Sequence, residues 1–443
     1  RSSWSGAKIP DALQAAWSIR PAQPQAGLIG QEWTNQWHGQ GPVTGVSVAE
    51  GVAVLALTDR QEVLAIDPAT GKDRWRAVVE GRIDSQPTIT QGAVYVGTRG
   101  GLLYAFNRDT GERIWTFRAA PRREQIVVDG QLESPWPLFG TVAVDDEGVW
   151  AVAGRHNDCD GGLWWWRLDA ATGKTLASGR LGRDELRSNT GNTGPISLDP
   201  EWPTGANCPP VTDGKFFLMP RIHCLRQDGR LVPTNIAKQS ERIDEHQFWA
   251  NAYSVGILVP GNQGLLNRIE SLNGYKMSAF GHVQARLFAY RGNQFVCVGG
   301  TDGYMQHRGG NRGSWVRAFQ RQAVLGQTTV PNKNNPAQPI KRTFGSKMKW
   351  DNPMPLTRGN GTEALAVAGD KVLVGFSVTH SDRSKERERL PFRLAVLGMA
   401  DGQQQQELAL PAKPILGGIS AVASRVYVTT ADGTVTCFAT ASK

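Results

Sequence analysis

Ala65-Ile-Asp-Pro-Ala-Thr-Gly-Lys-Asp-Arg-Trp75 recurs forty positions later as Ala105-Phe-Asn-Arg-Asp-Thr-Gly-Glu-Arg-Ile-Trp115. The shared frame is Ala-x-Asp/Asn-x-x-Thr-Gly-x-x-x-Trp, and short apolar runs, Val52 to Leu57 and Ala93 to Gly97, precede the two copies. The unit is therefore four short strands with a tight turn between the last two, and a period near 40 of that kind predicts a propeller blade. Each turn residue has a mechanical reason. Asp or Asn binds its own backbone two residues on, Thr adds a hydroxyl bond, and Gly takes the positive φ that closes the turn. The Trp then opens the outer strand, where its ring can cover the seam to the next blade.

With a weaker third copy, Asp169-Ala-Ala-Thr-Gly173, these repeats resemble the tryptophan-docking blades of the quinoprotein (PQQ-like) propeller superfamily. That superfamily also includes a lipoprotein of outer-membrane assembly. The strings Gly81-Arg-Ile-Asp-Ser-Gln-Pro87, Gln131-Leu-Glu-Ser-Pro-Trp-Pro137 and Ala153-Gly-Arg-His-Asn-Asp-Cys-Asp-Gly-Gly162 resemble its uncharacterised exported bacterial branch. The resemblance covers roughly residues 40 to 180. It implies an all-β propeller and an exported, periplasmic or envelope-associated protein, and it brings no agreed activity.

The blades are expected at about 42–79, 82–118, 134–181, 195–243, 246–350, 352–410 and 414–438, the last completed by 13–20. Three strands near the C-terminus lack a fourth, and Ala15 to Ile19 has the look of that missing rim strand. Sharing it would close the wheel and hide an open edge. This gives one seven-bladed domain, or eight blades if Ser240 to Val298 hides another. Long insertions fall at about 302–349 and 378–390. Gln327 to Lys341, rich in Asn, Pro, Gln and Thr, reads as loop. Residues 1 to 40 read as irregular apart from the rim strand. Trp350 is expected to open the last strand of the fifth blade, whose first strand would be Tyr253 to Val259.

Composition narrows the partners. Of 49 basic residues, nine lie between Gly303 and Trp350, where no Asp or Glu occurs, so the remaining 40 balance the 40 acids and the whole net charge of +9 has one address. Such an excess is a footprint for a polyanion, or a solvated insertion. Nucleic acid is disfavoured, since Tyr304, Trp315, Phe319, Phe344 and Trp350 do not interleave with the cations as a stacking platform would. No apolar run is long enough for a transmembrane segment, and a monomer is expected. A start at Arg1 suggests a processed N-terminus. The five cysteines leave open one disulfide, Cys208 with Cys224, or free thiols.

Ligand-facing positions belong to the loops between second and third strands and to the links between blades, which share one face. They include Arg82, Asp84, Ser85, Glu133, Trp136, Arg155, His156, Asp158, Asp160, Asp302, Tyr304, His307, Arg308, Arg312, Arg317 and Arg358. Arg82, Asp84 and Glu133 could instead pair with one another between blades. Three chemistries are open. Quinone-dependent dehydrogenation lacks the adjacent cysteines that the resemblance would imply. A metal at Asp158 and Asp160 competes with a simple hydrogen-bonded turn. An acidic-polysaccharide lyase could use His156, His307 or Tyr304 as base. The favoured expectation is a non-catalytic propeller without cofactor, binding a protein partner or an acidic polysaccharide through one face and its basic insertion. A polysaccharide lyase is the alternative.

Overall fold

The computed structural model describes residues 4–24, 41–90, 92–128, 131–139, 142–155, 159–182, 211–212, 216–219, 222–233, 285–291, 294–299, 315–330, 337, 340–353, 362–377 and 392–440. Every regular element among them is a β-strand, and seven four-stranded antiparallel meanders account for nearly all of these. The first sheet is Ser47–Ala49, Val52–Leu57, Glu62–Ile66 and Asp73–Val78. The second is Thr88–Thr90, Ala93–Gly97, Leu102–Asn107 and Arg113–Arg118, and the third Ala143–Asp145, Gly148–Ala153, Leu163–Leu168 and Thr175–Leu181. The fourth is Val211–Thr212, Phe216–Met219, Ile222–Gln227 and Arg230–Pro233. Ala285–Arg291, Gln294–Gly299, Trp315–Val330 and Ile340–Pro353 form the fifth, and Thr362–Ala368, Lys371–Ser377, Phe392–Gly398 and Gln404–Leu410 the sixth. The seventh is Pro414–Val422, Arg425–Thr430 and Val435–Thr440, completed by Leu13–Ile19.

First strands touch in succession, the seventh sheet's against the first's, then the second's, third's and fourth's, while the fifth's meets the sixth's and the sixth's meets the seventh's. Sheets packed face to face about a hub bury their middle strands on both sides. Val52–Leu57 is accordingly buried at every position, where a one-sided sheet would alternate. The outer strands face water and do alternate: in Asp73–Val78 only Trp75 is buried.

That Trp is the seam. The Trp75 Nε1–H donates to the Arg108 carbonyl at 2.7 Å, and Trp115 repeats the bond to Ala170 at 3.0 Å. Gly111 and Gly173 lie directly beneath these rings, at φ of +75° and +69°, and an added Cβ would sit 2.6 Å and 2.7 Å from them. Trp17 of the rim strand docks in the same way, on Gly71 and the Pro68 carbonyl. The motif Gly thus serves two ends, the left-handed turn and clearance for the preceding blade's ring. Register identifies the docking position in other sheets. Trp75 and Trp115 lie opposite Ala65 and Ala105, as Trp350 lies opposite Ala318, and the sixth sheet has Gln406 there, opposite Val396. Gln406 holds the rim strand by two bonds, accepting from the Leu13 N–H at 2.9 Å and donating to its carbonyl at 2.7 Å.

A second repeated device lies at the hub. Ser420 donates to the Val46 carbonyl at 2.5 Å, Ser47 to Pro87 at 2.6 Å and Thr88 to Val142 at 2.9 Å. All three hydroxyls occupy one register position of the innermost strand, and each binds the residue entering the next sheet or one close to it.

Three sequence expectations change. Trp4–Ser5, expected irregular, adds a parallel fifth strand beside the sixth sheet's innermost one. Among the described residues the fifth sheet begins at Ala285; Tyr253 to Val259 and the stretch proposed for an eighth blade up to 284 lie outside the described residues. Trp350 lies near the end of its strand, which starts at Ile340. Finally, within Gln327 to Lys341 the described residues 327–330 and 340–341 are strand rather than loop, because pairing continues out to Val330 opposite Ile340. The sheet's second strand pairs only as far as Gln320, so beyond it the two long strands form a ribbon paired with each other. Among the described cysteines, Cys159 is exposed and Cys437 is a buried free thiol; Cys208 lies outside the described residues.

Candidate binding face

Six charged residues meet where the first three sheets adjoin. Asp59, Arg99 and Arg155 each stand two positions after the end of a second strand, in the loop that leads to the third. Arg82 and Asp84 come from the link between the first and second sheets, and Glu133 from the link between the second and third. They form an alternating relay: Arg82 lies 3.7 Å from Asp59 and 3.0 Å from Asp84, and Arg99 lies 2.5 Å from Asp84 and 3.2 Å from Glu133. The second Glu133 oxygen pairs with Arg155. Three cations match three anions, so the relay is neutral. The Phe139 ring takes the two guanidinium groups that flank Glu133 on its π system, Arg99 at 5.4 Å and Arg155 at 5.2 Å from its centroid.

Backbone bonds fix the same junction. The Arg99 N–H donates to the Arg82 carbonyl, and the Arg99 carbonyl accepts from Ser134, each at 2.8 Å. Gly101, at φ +73°, allows Ala120 and the Trp136 carbonyl to close in, since a Cβ there would lie 2.5 Å and 2.9 Å from them. Burial pushes the Asp84 carboxyl up, but Arg99 and Arg82 outweigh it and hold the group below the usual carboxylate range. An isolated buried charge would be costly; here every ion has a counter-ion within 3.7 Å, so the relay's chief product is a fixed geometry.

Of the expected residues, Arg82, Asp84, Glu133 and Arg155 therefore do come together, while Ser85 and Trp136 lie in the same links between sheets; all but Arg155, the most exposed of the set, are buried. Trp136 donates from Nε1 to the Asp160 carbonyl at 2.7 Å. Asp160 itself is an exposed turn residue at φ +53°. Arg317 sits half-buried on the third strand of the fifth sheet. His156, Asp158, Asp302, Tyr304, His307, Arg308, Arg312 and Arg358 lie outside the described residues. No group of three His, Cys, Asp or Glu side chains among the described residues is placed to hold a metal ion. Sequence reading missed Asp59, Arg99 and Phe139. Aligning the second-strand ends would have found the first two, since 57, 97 and 153 place Asp59, Arg99 and Arg155 at one offset.

Above the relay the link between the second and third sheets carries a two-stranded hairpin, Ile126–Val128 with Gln131–Glu133, whose last residue is the relay's own Glu133. The basic ribbon of the fifth sheet leaves by the turn between third and fourth strands, at the opposite end of the sheets. Arg308 and Arg312 belong instead to the segment between second and third strands.

Comparison with known proteins fits this architecture. Residues 30–200 match the family model described as outer membrane protein assembly factor BamB. The chain is 34% identical over 119 residues to the outer membrane protein assembly factor BamB of Burkholderia pseudomallei, covering 27% of this chain and 30% of that one. It is 32% identical over 114 residues to the quinoprotein alcohol dehydrogenase PedH of Pseudomonas putida, covering 23% and 18%. The aligned parts span less than a third of the length of these curated relatives. A crystal structure of BamB from Moraxella catarrhalis aligns over 98% of this chain and 99% of that one, at 13% identity and a TM-score of 0.41. No helix among the described residues is long and apolar enough to cross a membrane.

Proposed function

We propose that this chain, matched over residues 30–200 by a PQQ-like repeat family model, is an exported binding scaffold that holds a partner protein on the face bearing the second-to-third-strand loops and the links between sheets. One observation carries this reading. The charged residues on that face best suited to grip a small ligand are spent on each other in the relay, which makes them a frame for the loops above. What the face offers to another molecule is then the exposed part of those loops and links. The curated relatives named as assembly factors support the same reading, which rests for this chain on its own geometry. The basic ribbon supplies a second, electrostatic contact with an acidic partner surface.

The test is site-specific photo-cross-linking in the cell envelope. A photo-reactive side chain at Arg60 or Asp160, both exposed on the loop face, should yield protein adducts; one at Glu112, on the opposite turns, should not. Absence of protein adducts at 60 and 160, together with release of unsaturated product from uronic-acid glycans, would replace the scaffold by a polysaccharide lyase.

A further inference from the structure

The hairpin Ile126–Val128 with Gln131–Glu133 reverses the usual polarity of a strand exposed to water. Register sets Val127 opposite Leu132 and Ile126 opposite Glu133. Side chains alternate, so the first pair shares one face and the second pair the other. The outer face presents Val127 and Leu132, 71% and 65% exposed. The inner face buries the Glu133 carboxylate between Arg99 and Arg155. Two aliphatic side chains are thus held out in water by a mount that is ion-paired at its root. Val78, 76% exposed, stands at the same end of the first sheet.

The backbone adds a second feature. In an antiparallel pair, alternate residues direct their N–H and C=O groups away from the partner strand. No third strand among the described residues pairs with this sheet, so the flank of Ile126–Val128 is an edge of the kind to which a strand can add. Charge supplies the third. Arg122 and Arg123 are both exposed just before the hairpin; Arg122 lies 3.4 Å from Glu124, while Arg123 has no carboxylate partner among the described residues.

We infer that this hairpin is a strand acceptor, and that its occupant is an extended segment of a partner protein in which apolar and acidic residues alternate. The segment adds its backbone to one flank, covers Val127 and Leu132 with its aliphatic side chains and sets a carboxylate against Arg123. The inference rests on the reading of this face as a protein-contact surface and names the element and the chemistry of the contact.

The experiment uses the full chain and a labelled synthetic peptide alternating aspartate and valine, followed by fluorescence anisotropy. A lysine–valine peptide and a version interrupted by proline should each bind roughly ten-fold more weakly or worse, a loss of about 1.4 kcal/mol. The double variant Val127→Thr with Leu132→Thr keeps strand propensity, and it and Arg123→Glu should each weaken the acidic peptide by a similar factor with the thermal midpoint unchanged. Equal binding of acidic and basic peptides, or unaltered binding by the variants, overturns the inference. So does self-association abolished by the double variant, which would make the occupant a second copy. Photo-adducts at 60 or 160 but none at 132 would sink the hairpin alone; none at any of the three sinks the scaffold as well.

Discussion

At the scale of single residues, a turn glycine outside the motif and one inside it separate two physical effects that a positive φ merges. Gly51 at φ +79° has open space around its missing Cβ, whereas Gly111 at φ +75° has the Trp75 ring there. Gly51→Ala should cost about 1–2 kcal/mol, the left-handed conformation alone. Gly111→Ala should cost about 1–3 kcal/mol more, because the ring must move. Chemical denaturation midpoints of the two variants check this, and equal losses would mean that the Trp75 seam yields freely. Asp84 gives the pH counterpart. Its folded carboxyl titrates below the unfolded value of about 3.9, so its stabilisation is complete above that value and is lost as pH falls through the lower folded one. Asp84→Asn leaves two buried guanidinium groups facing a neutral amide and should cost about 3–5 kcal/mol at pH 7. The variant should also lose less stability than the parent between pH 6 and pH 3. An unchanged acid slope would show that Asp84 is not the group whose protonation loosens this junction.

At the scale of elements, the seams between sheets are made of single hydrogen bonds repeated in register. Thr88→Val keeps the shape but leaves the buried Val142 carbonyl without its donor, and should cost about 1–3 kcal/mol; Ser47→Ala should behave alike. Gln406→Ala removes both bonds to Leu13, so limited proteolysis should cut the first twenty residues faster while the bonds of the inner strands persist. Uniform acceleration across the chain would show that the rim strand is not held separately. The same seams explain what could be read in advance. Ala15 to Ile19 was legible as a rim strand because Trp17 repeats the docking Trp, and Trp17 indeed lies opposite Cys437 of the last strand. Trp4–Ser5 was not, since two residues carry no period. The ribbon read as loop for a related reason: two strands paired only with each other have no neighbouring sheet to impose apolar alternation, and that alternation is what a sequence reader detects. In the relay, Arg82, Asp84 and Glu133 stood out as charges within the strings Gly81 to Pro87 and Gln131 to Pro137, on which the family resemblance rests. Asp59 and Arg99 sit in loops of ordinary composition, and only the spatial equivalence of the blades reveals them.

At the scale of the molecule, charge is distributed unevenly in a way the fold makes specific. Forty basic and 40 acidic residues cancel outside the Gly303 to Trp350 stretch, and the relay neutralises three of each sign against one another. Exposed pairs such as Arg74 with Asp67 and Arg76 with Asp73 neutralise others locally; Arg74 holds the Asp67 carboxyl at about 2, so that partner stays ionised at any working pH. The long-range field seen by a polyanion should therefore originate at the fifth sheet, where Lys341, Arg342, Lys347 and Lys349 lie on the single long strand Ile340–Pro353. Replacing those four by Gln should move elution from a heparin column to markedly lower salt and flatten its salt dependence, because fewer counter-ions are exchanged per binding event. Replacing Arg60, Arg74, Arg113 and Arg230 removes the same formal charge from other blades and should shift elution far less. If the two sets shifted it equally, net charge alone would govern retention, and the ribbon would be no more than a solvated extension of its blade.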